Sequence, residues 1–306
     1  MGGGAWTARS WDTYTRSTGL DKTTSATGSS GVYRSTRMPV GLDPKQVTFR
    51  ESCASEEHPD PTSIILGLDV TGSMGTLAME IAKNGLNTLI TEIYKKKPVS
   101  DPQIMFAAIG DAEYDHAPLQ VTQFESDIRI AEQLVSAYFE GGGGGNGGES
   151  YILAWYFAAF HTKLDSIDKK NKKGFIFTIG DEAPLMTLTK EQIKEFIGDD
   201  VERDYTAEEL LTIVSRSYEV YHVIVDPVVY QRPAEKWESL LGPDHTIVLQ
   251  DYKKLPEVIV SQLQLLAGKS MDIVLNGWDG TTAAIVASSL NGVSVSTSNS
   301  DGLVEF

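Results

Sequence analysis

The chain has 306 residues and a formal net charge of -16, with 41% hydrophobic residues, 22% charged residues and one cysteine, Cys53. That length supports one large domain or two small ones with a substantial core, and the composition is ordinary for a globular protein. The acidic balance argues against non-specific nucleic-acid binding, which depends on neutralising phosphates. One cysteine can build neither an internal disulfide nor a thiolate metal site, and no run of about 18 apolar residues could span a membrane.

Residues 1–60 are rich in Gly, Ser and Thr, with TTSATGSSG in the middle, and read as an irregular, extended arm. Trp6, Trp11, Tyr14 and Tyr33 imply that the arm packs on something, whether its own domain, a neighbouring copy or a partner. The opening residues, MGGGAWTARSWDTYTRS, lack the charged and apolar regions of a signal peptide. Trp6 stands where a myristoylation motif needs Ser or Thr. A cytoplasmic location is therefore expected.

From residue 63 strands and helices alternate. SIILGLDV is a short apolar run of strand length, and GTLAMEIAKNGLNTLITEIYKKK follows with apolar residues at helical spacing and lysines at its end. QIMFAAIGD and LQVTQF read as strands, ESDIRIAEQLVSAYF as an amphipathic helix, and ESYILAWYFAAFHTKL as a helix apolar almost all round. GFIFTIGDEAP, EVYHVIVD and HTIVLQ are further strands. Between and after them come the helices TKEQIKEFIG, TAEELLTIVSRS (with a Thr206/Glu209 capping box), AEKWESLL and LPEVIVSQLQLLAG. Such alternation predicts a doubly wound, Rossmann-like α/β domain over 61–268, with a mostly parallel sheet and helices on both faces. In the tail, 269–306, the stretch 271–298 has two Asn-Gly pairs and one Asp-Gly between β-prone runs, which predicts a small β-meander.

In an open α/β sheet ligands bind beyond the carboxyl ends of the strands. The first strand brings Asp69, Thr71 and Ser73 to that edge, the second brings Asp111, and a later one brings Asp181. The glycine run GGGGGNGGES, 141–150, should lie along the same edge and let a partner approach its backbone. Oxygen ligands without sulfur suit Mg²⁺, or Mn²⁺ or Ca²⁺, and not zinc or copper. One such residue could simply cap the following helix. Alternate oxygens together with acids on two further strand ends exceed what capping explains.

Asp-x-Thr-x-Ser closing an apolar strand resembles the Asp-x-Ser-x-Ser motif of von Willebrand factor A domains, and the order of elements over about 61–268 is similar to that family. The resemblance implies a metal-ion-dependent adhesion site in which Asp69, Thr71 and Ser73 match the first motif and Asp181 the later acid. It implies a non-enzymatic interaction module whose protein partner supplies a carboxylate to the metal. The family's threonine in the Gly-rich loop has no counterpart here; the loop offers Asn146, Glu149 and Ser150 instead. Asp111 is expected behind the ligands, and Gly145, Glu149 and Glu182 on the partner-facing rim. With no signal peptide, the chain looks more like bacterial or bacteriophage members, cytoplasmic or virion-associated, some of which serve AAA+ ATPases as adaptors.

Two other readings compete. A structural or virion-associated assembly protein would use the arm and tail as intersubunit straps. A metal-dependent phosphohydrolase of the haloacid-dehalogenase type would need a second aspartate where Thr71 stands and a lysine beside Asp181. There is no P-loop, and the glycine run does not follow a first strand as a dinucleotide fingerprint would. The five histidines form no metal-binding pair, and Cys53 has no evident base beside it.

Overall fold

The computed structural model describes residues 4–22, 32–33, 35–143, 145–225 and 231–293, with residues 231 and 232 as backbone alone. Its strands are β1 (Arg50–Ser52), β2 (Thr62–Asp69), β3 (Pro102–Ile109), β4 (Leu119–Val121), β5 (Thr162–Leu164), β6 (Gly174–Gly180), β7 (Thr187–Leu188), β8 (Tyr205–Thr206), β9 (Tyr218–Val225) and β10 (Thr246–Leu249). The central sheet runs β10-β9-β6-β2-β3-β4, parallel throughout except for the edge strand β4, which is antiparallel to β3. Parallel neighbours cannot be joined by hairpins, so the chain crosses over through helices and covers both faces.

The two-residue period of the strands sorts the core into two layers. On one side Ile64, Leu66 and Leu68 of β2 face α1 (Ala8–Thr18), α2 (Gly75–Glu80), α3 (Leu86–Lys96), α4 (Arg129–Ser136), α10 (Leu255–Leu266), α11 (Met271–Leu275) and α12 (Gly280–Leu290). On the other, Ile65 of β2 with Met105 and Ile109 of β3 face α5 (Tyr151–Phe160), α6 (Asp165–Lys170), α7 (Lys190–Phe196), α8 (Ala207–Val214) and α9 (Gln231–Leu241). The doubly wound, mostly parallel α/β architecture is therefore the one the alternation predicts. Thr206 and Glu209 form the expected capping box at the start of α8.

The ends of the chain differ from expectation. The arm is not extended throughout, because Thr7 caps α1 through a capping box with Ser10, and Trp11 and Tyr14, three apart, bury one face. Trp6 donates to Asn87 Oδ1 (3.1 Å), and the Tyr33 hydroxyl donates to the Ala78 carbonyl (3.0 Å), so the described arm packs on its own domain. The TTSATGSSG stretch lies outside the described residues.

The β-meander expected over 269–306 is not what its described part forms, since α11 and α12 stand there instead. Asx-Gly pairs serve helix ends as readily as hairpins. Asp279 accepts from the backbone of Thr281 and Thr282 to start α12, and Asn276 closes α11. Thr282, Val286, Ser289 and Leu290 then fall at helical spacing and are buried. Residues 294–306 of the expected meander lie outside the described residues.

Candidate metal centre

Strands β6, β2 and β3 are adjacent in the sheet, so their carboxyl ends share one edge. β2 ends at Asp69, the chain continues from β3 through Gly110 to Asp111, and from β6 directly into Asp181. Asp69 is fully buried. Its Oδ1 accepts from the backbone N of Thr71 (2.8 Å) and from Thr71 Oγ1 (2.6 Å), and its Oδ2 accepts from the Tyr151 hydroxyl (2.8 Å). Ser73, exposed in the short turn Gly72–Met74, donates its hydroxyl to Asp181 Oδ1 (3.1 Å). Both hydroxyl protons are thus directed at carboxylates, and the remaining lone pairs of Thr71 Oγ1 and Ser73 Oγ are free to accept.

The Gly-rich loop does reach this edge. Gly142 accepts at its carbonyl from the backbone N of Gly72 (3.0 Å), and Gly143 donates from its N to Asp115 Oδ1 (3.0 Å). Gly141, Gly143, Gly145 and Gly147 have φ of 67°, 96°, 67° and 80°, the left-handed region that other residues avoid. Alternate glycines are needed here for that reason. The loop ends at Glu149, whose N donates to the Ala183 carbonyl (2.9 Å) and whose carbonyl accepts from Leu185 N (3.0 Å). A point one Cβ beyond Gly143 lies 3.1 Å from Glu149 Oε1 and 3.3 Å from Thr71 Cβ, so the Glu149 carboxylate and the Thr71 side chain flank the same glycine.

Burial dominates the electrostatics. It pushes Asp69 up to about 7, against the hydrogen bonds from Thr71 and Tyr151, with Asp181 adding repulsion. Glu149 is pushed up to about 9 by burial and then by the charges of Asp69, Asp111, Asp115 and Glu182. Asp111 and Glu182 are raised as well, again first by burial. At this edge two carboxylate oxygens, Asp111 Oδ2 and Glu149 Oε2, are buried without a hydrogen-bond partner among the described residues. An edge crowded with acids is costly unless protons or a cation neutralise it.

The residues present suit a hard cation held by mixed oxygens. Thr71 and Ser73 offer hydroxyl lone pairs, Asp181 a carboxylate, and the orphaned oxygens supply unspent negative charge. Among the described residues no three His, Cys, Asp or Glu side chains converge to hold an ion by themselves, so the hydroxyls are indispensable to any such site.

Of the residues expected from sequence, Asp69, Thr71, Ser73 and Asp181 are linked by hydrogen bonds into two pairs at this edge. Asp111 is fully buried, with its Oδ1 accepting from Glu113 N (2.8 Å). Asn146 is exposed and donates from Nδ2 to Glu113 Oε2 (3.0 Å), which leaves its carbonyl oxygen unspent by that bond. Gly145 is exposed and Glu182 half-buried. Glu149 departs from the partner-facing rim expected for it, because only 5% of it is exposed. Its backbone is clamped to the loop after β6, and that clamp turns a loop-end residue inward.

Sequence reasoning missed Tyr151 and Asp115. Tyr151 is hidden in a helix that reads as uniformly apolar. Asp115 differs in no local respect from other loop acids, yet it accepts from both Asp111 N (2.9 Å) and Gly143 N. His116 is exposed and bonded to Glu140, and His222 is buried in the core, as their sequence contexts suggest.

No family model and no curated protein matches the chain. Among solved structures it is similar to the pilus adhesin SpaC from Lactobacillus rhamnosus GG in its open conformation, with 14% identity and a TM-score of 0.45, covering 71% of this chain and 30% of the adhesin. A second structure of SpaC gives a TM-score of 0.43 at 14% identity, over 71% of this chain and 31% of that one. The conserved hypothetical protein BatB from Bacteroides thetaiotaomicron gives 0.40 at 13% identity, over 68% of this chain and 100% of BatB. The chain thus spans under a third of the length of the SpaC structures.

Proposed function

We propose that this chain is a non-enzymatic, cation-dependent protein-interaction module of the von Willebrand factor A type, working at the carboxyl edge of its sheet. The observation that carries the reading is the pairing of Thr71 with Asp69 and of Ser73 with Asp181, which spends both hydroxyl protons and leaves both oxygens as acceptors. Thr71, Ser73 and Asp181 would hold Mg²⁺, or Mn²⁺ or Ca²⁺, with Asp69 behind Thr71. When bound, such an ion supplies a positive position to which an oxygen of a partner, a carboxylate in the simplest case, can coordinate. Ser73 and the loop around Gly145 are exposed and accessible to that partner. An AAA+ ATPase and a second copy of the chain are the partner classes to try first. Trp6, Trp11 and Tyr14 are buried in the chain's own core, which removes them as intersubunit straps and weighs against the assembly reading.

Thermal unfolding in EDTA and then in each cation tests the proposal. A ligand at 100 times its Kd adds about 2.7 kcal/mol of stability, enough to move the midpoint visibly. The expected result is a rise in at least one of the three cations that Ser73→Ala and Asp69→Asn both lose. No rise in any cation, after verified chelation, overturns the reading.

A further inference from the structure

Glu149 has a geometry that helix capping, loop packing and surface solvation leave unexplained. It is 5% exposed, and among the described residues its Oε2 is buried without a hydrogen-bond donor and the charges that act on it most strongly are all acidic. Its Oε1 lies 3.1 Å, and Thr71 Cβ 3.3 Å, from the point a Cβ on Gly143 would occupy, and the acid it feels most strongly is Asp69. The backbone holds it there by two hydrogen bonds, to Ala183 and from Leu185, on the loop that follows Asp181. Gly148 reinforces the clamp, because a Cβ at that position would come within 2.9 Å of the Ala183 carbonyl. A buried carboxylate without a donor is expensive, and here the chain fixes one against the glycine that Thr71 also flanks.

We propose that Glu149 is the Gly-rich loop's direct ligand to the cation, delivering a carboxylate oxygen to the Thr71–Ser73 edge. This inference rests on the cation-dependent reading above and deepens it. The loop then contributes charge as well as an oxygen, and the ion takes the place of the missing donor. In the cation-free protein the same carboxylate is repelled by Asp69 and Asp111, so apo stability and cation affinity are opposed at this one residue. Glu149→Gln keeps the shape and removes the charge. Glu149→Asp keeps the charge and withdraws the oxygen by one methylene.

Terbium luminescence of the full chain reads the site directly, sensitised by Tyr151, which donates to Asp69, and by Trp237, whose ring centroid is 5.3 Å from that of Tyr151. The wild type is expected to bind Tb³⁺ and release it to Mg²⁺ or Ca²⁺. Glu149→Gln and Glu149→Asp should each bind at least tenfold more weakly, while Glu149→Gln in EDTA unfolds at a higher temperature than wild type, which also establishes that it folds. If Glu149→Gln keeps wild-type affinity while Ser73→Ala loses it, the cation site stands and the Glu149 assignment falls. Wild-type affinity in Glu149→Asp alone would reduce Glu149 to a distant charge and likewise overturn direct ligation. Absence of binding by the wild type itself overturns the cation reading together with the inference.

Discussion

Tyr151 donates its hydroxyl to Asp69 Oδ2 across 82 positions of sequence, joining the first residue of α5 to the last residue of β2. Both groups are fully buried, so neither can exchange the other for water. Tyr151→Phe removes this donor and leaves Asp69 with Thr71 alone. Asp69's folded pKa is already raised, so ionising it costs stability as pH rises through about 7, and loss of the donor raises that cost. In EDTA, Tyr151→Phe should lose about 1–3 kcal/mol at pH 8.5 and clearly less at pH 5.5. Urea unfolding at the two pH values measures the difference, and equal losses would show that Asp69 does not carry the effect.

Gly180 ends β6 against the same pair. A Cβ there would overlap the Tyr151 hydroxyl and lie 3.0 Å from Asp69 Oδ2. Gly180→Ala must therefore displace the Tyr151 ring inside a packed core, at about 1–3 kcal/mol. The expected outcome is a lower denaturation midpoint in Gly180→Ala. In Gly180→Ala combined with Tyr151→Phe the two losses should not add, because both variants break one hydrogen bond.

His222 provides a second pH test, in the core behind Tyr151. It is fully buried, stacked on Trp237 with centroids 3.6 Å apart, and its Nδ1 meets Thr178 Oγ1 (2.8 Å). Burial holds its pKa well below the ordinary 6.5. Unfolding therefore takes up a proton below that pH, and the stability His222 contributes above about 6.5 is lost as pH falls, by about 1.4 kcal/mol per unit. Asp69 and Glu149 are raised and gain stability over the same acid range, so the quantity to follow is wild type minus His222→Phe. That difference should shrink steadily from pH 6.5 to 4.5.

Trp11 tests whether the arm belongs to the domain. It is 8% exposed and packs with Trp6 (5.4 Å between centroids) and Tyr14 (6.3 Å) in the core layer of α3 and α4. Trp11→Ala should cost about 3 kcal/mol, read as a shift of the single unfolding transition. Val40, in the same arm but 74% exposed, is the control, and Val40→Ser should change stability by less than about 0.5 kcal/mol. A Trp11→Ala variant as stable as wild type would detach the arm from the fold.

Much of the architecture was legible in the residues. Buried strand runs ending in Asp69, Asp111 and Asp181, separated by amphipathic helices, require a doubly wound parallel sheet. A parallel sheet in turn brings the ends of adjacent strands to one edge. Those are consequences of period and order, which neighbouring residues encode. Where one local pattern serves two structures, sequence reading erred: Asp279-Gly280 starts a helix in the tail instead of turning a hairpin. An aromatic, glycine-rich arm likewise hid the cap at Thr7 and the helix behind it.

The identity of hydrogen-bond partners came from the packing of distant segments. Asp69 finds Tyr151, Gly143 finds Asp115, and Glu149 turns from the rim to the interior because Ala183 and Leu185 clamp its backbone. No periodicity announces such pairs, since a buried oxygen takes whichever donor the packing of distant segments delivers. Local order and period are enough to say which oxygens reach the carboxyl edge of the sheet. The folded chain determined which of them are already spent on one another and which, at Glu149 and Asp111, are left buried and unsatisfied.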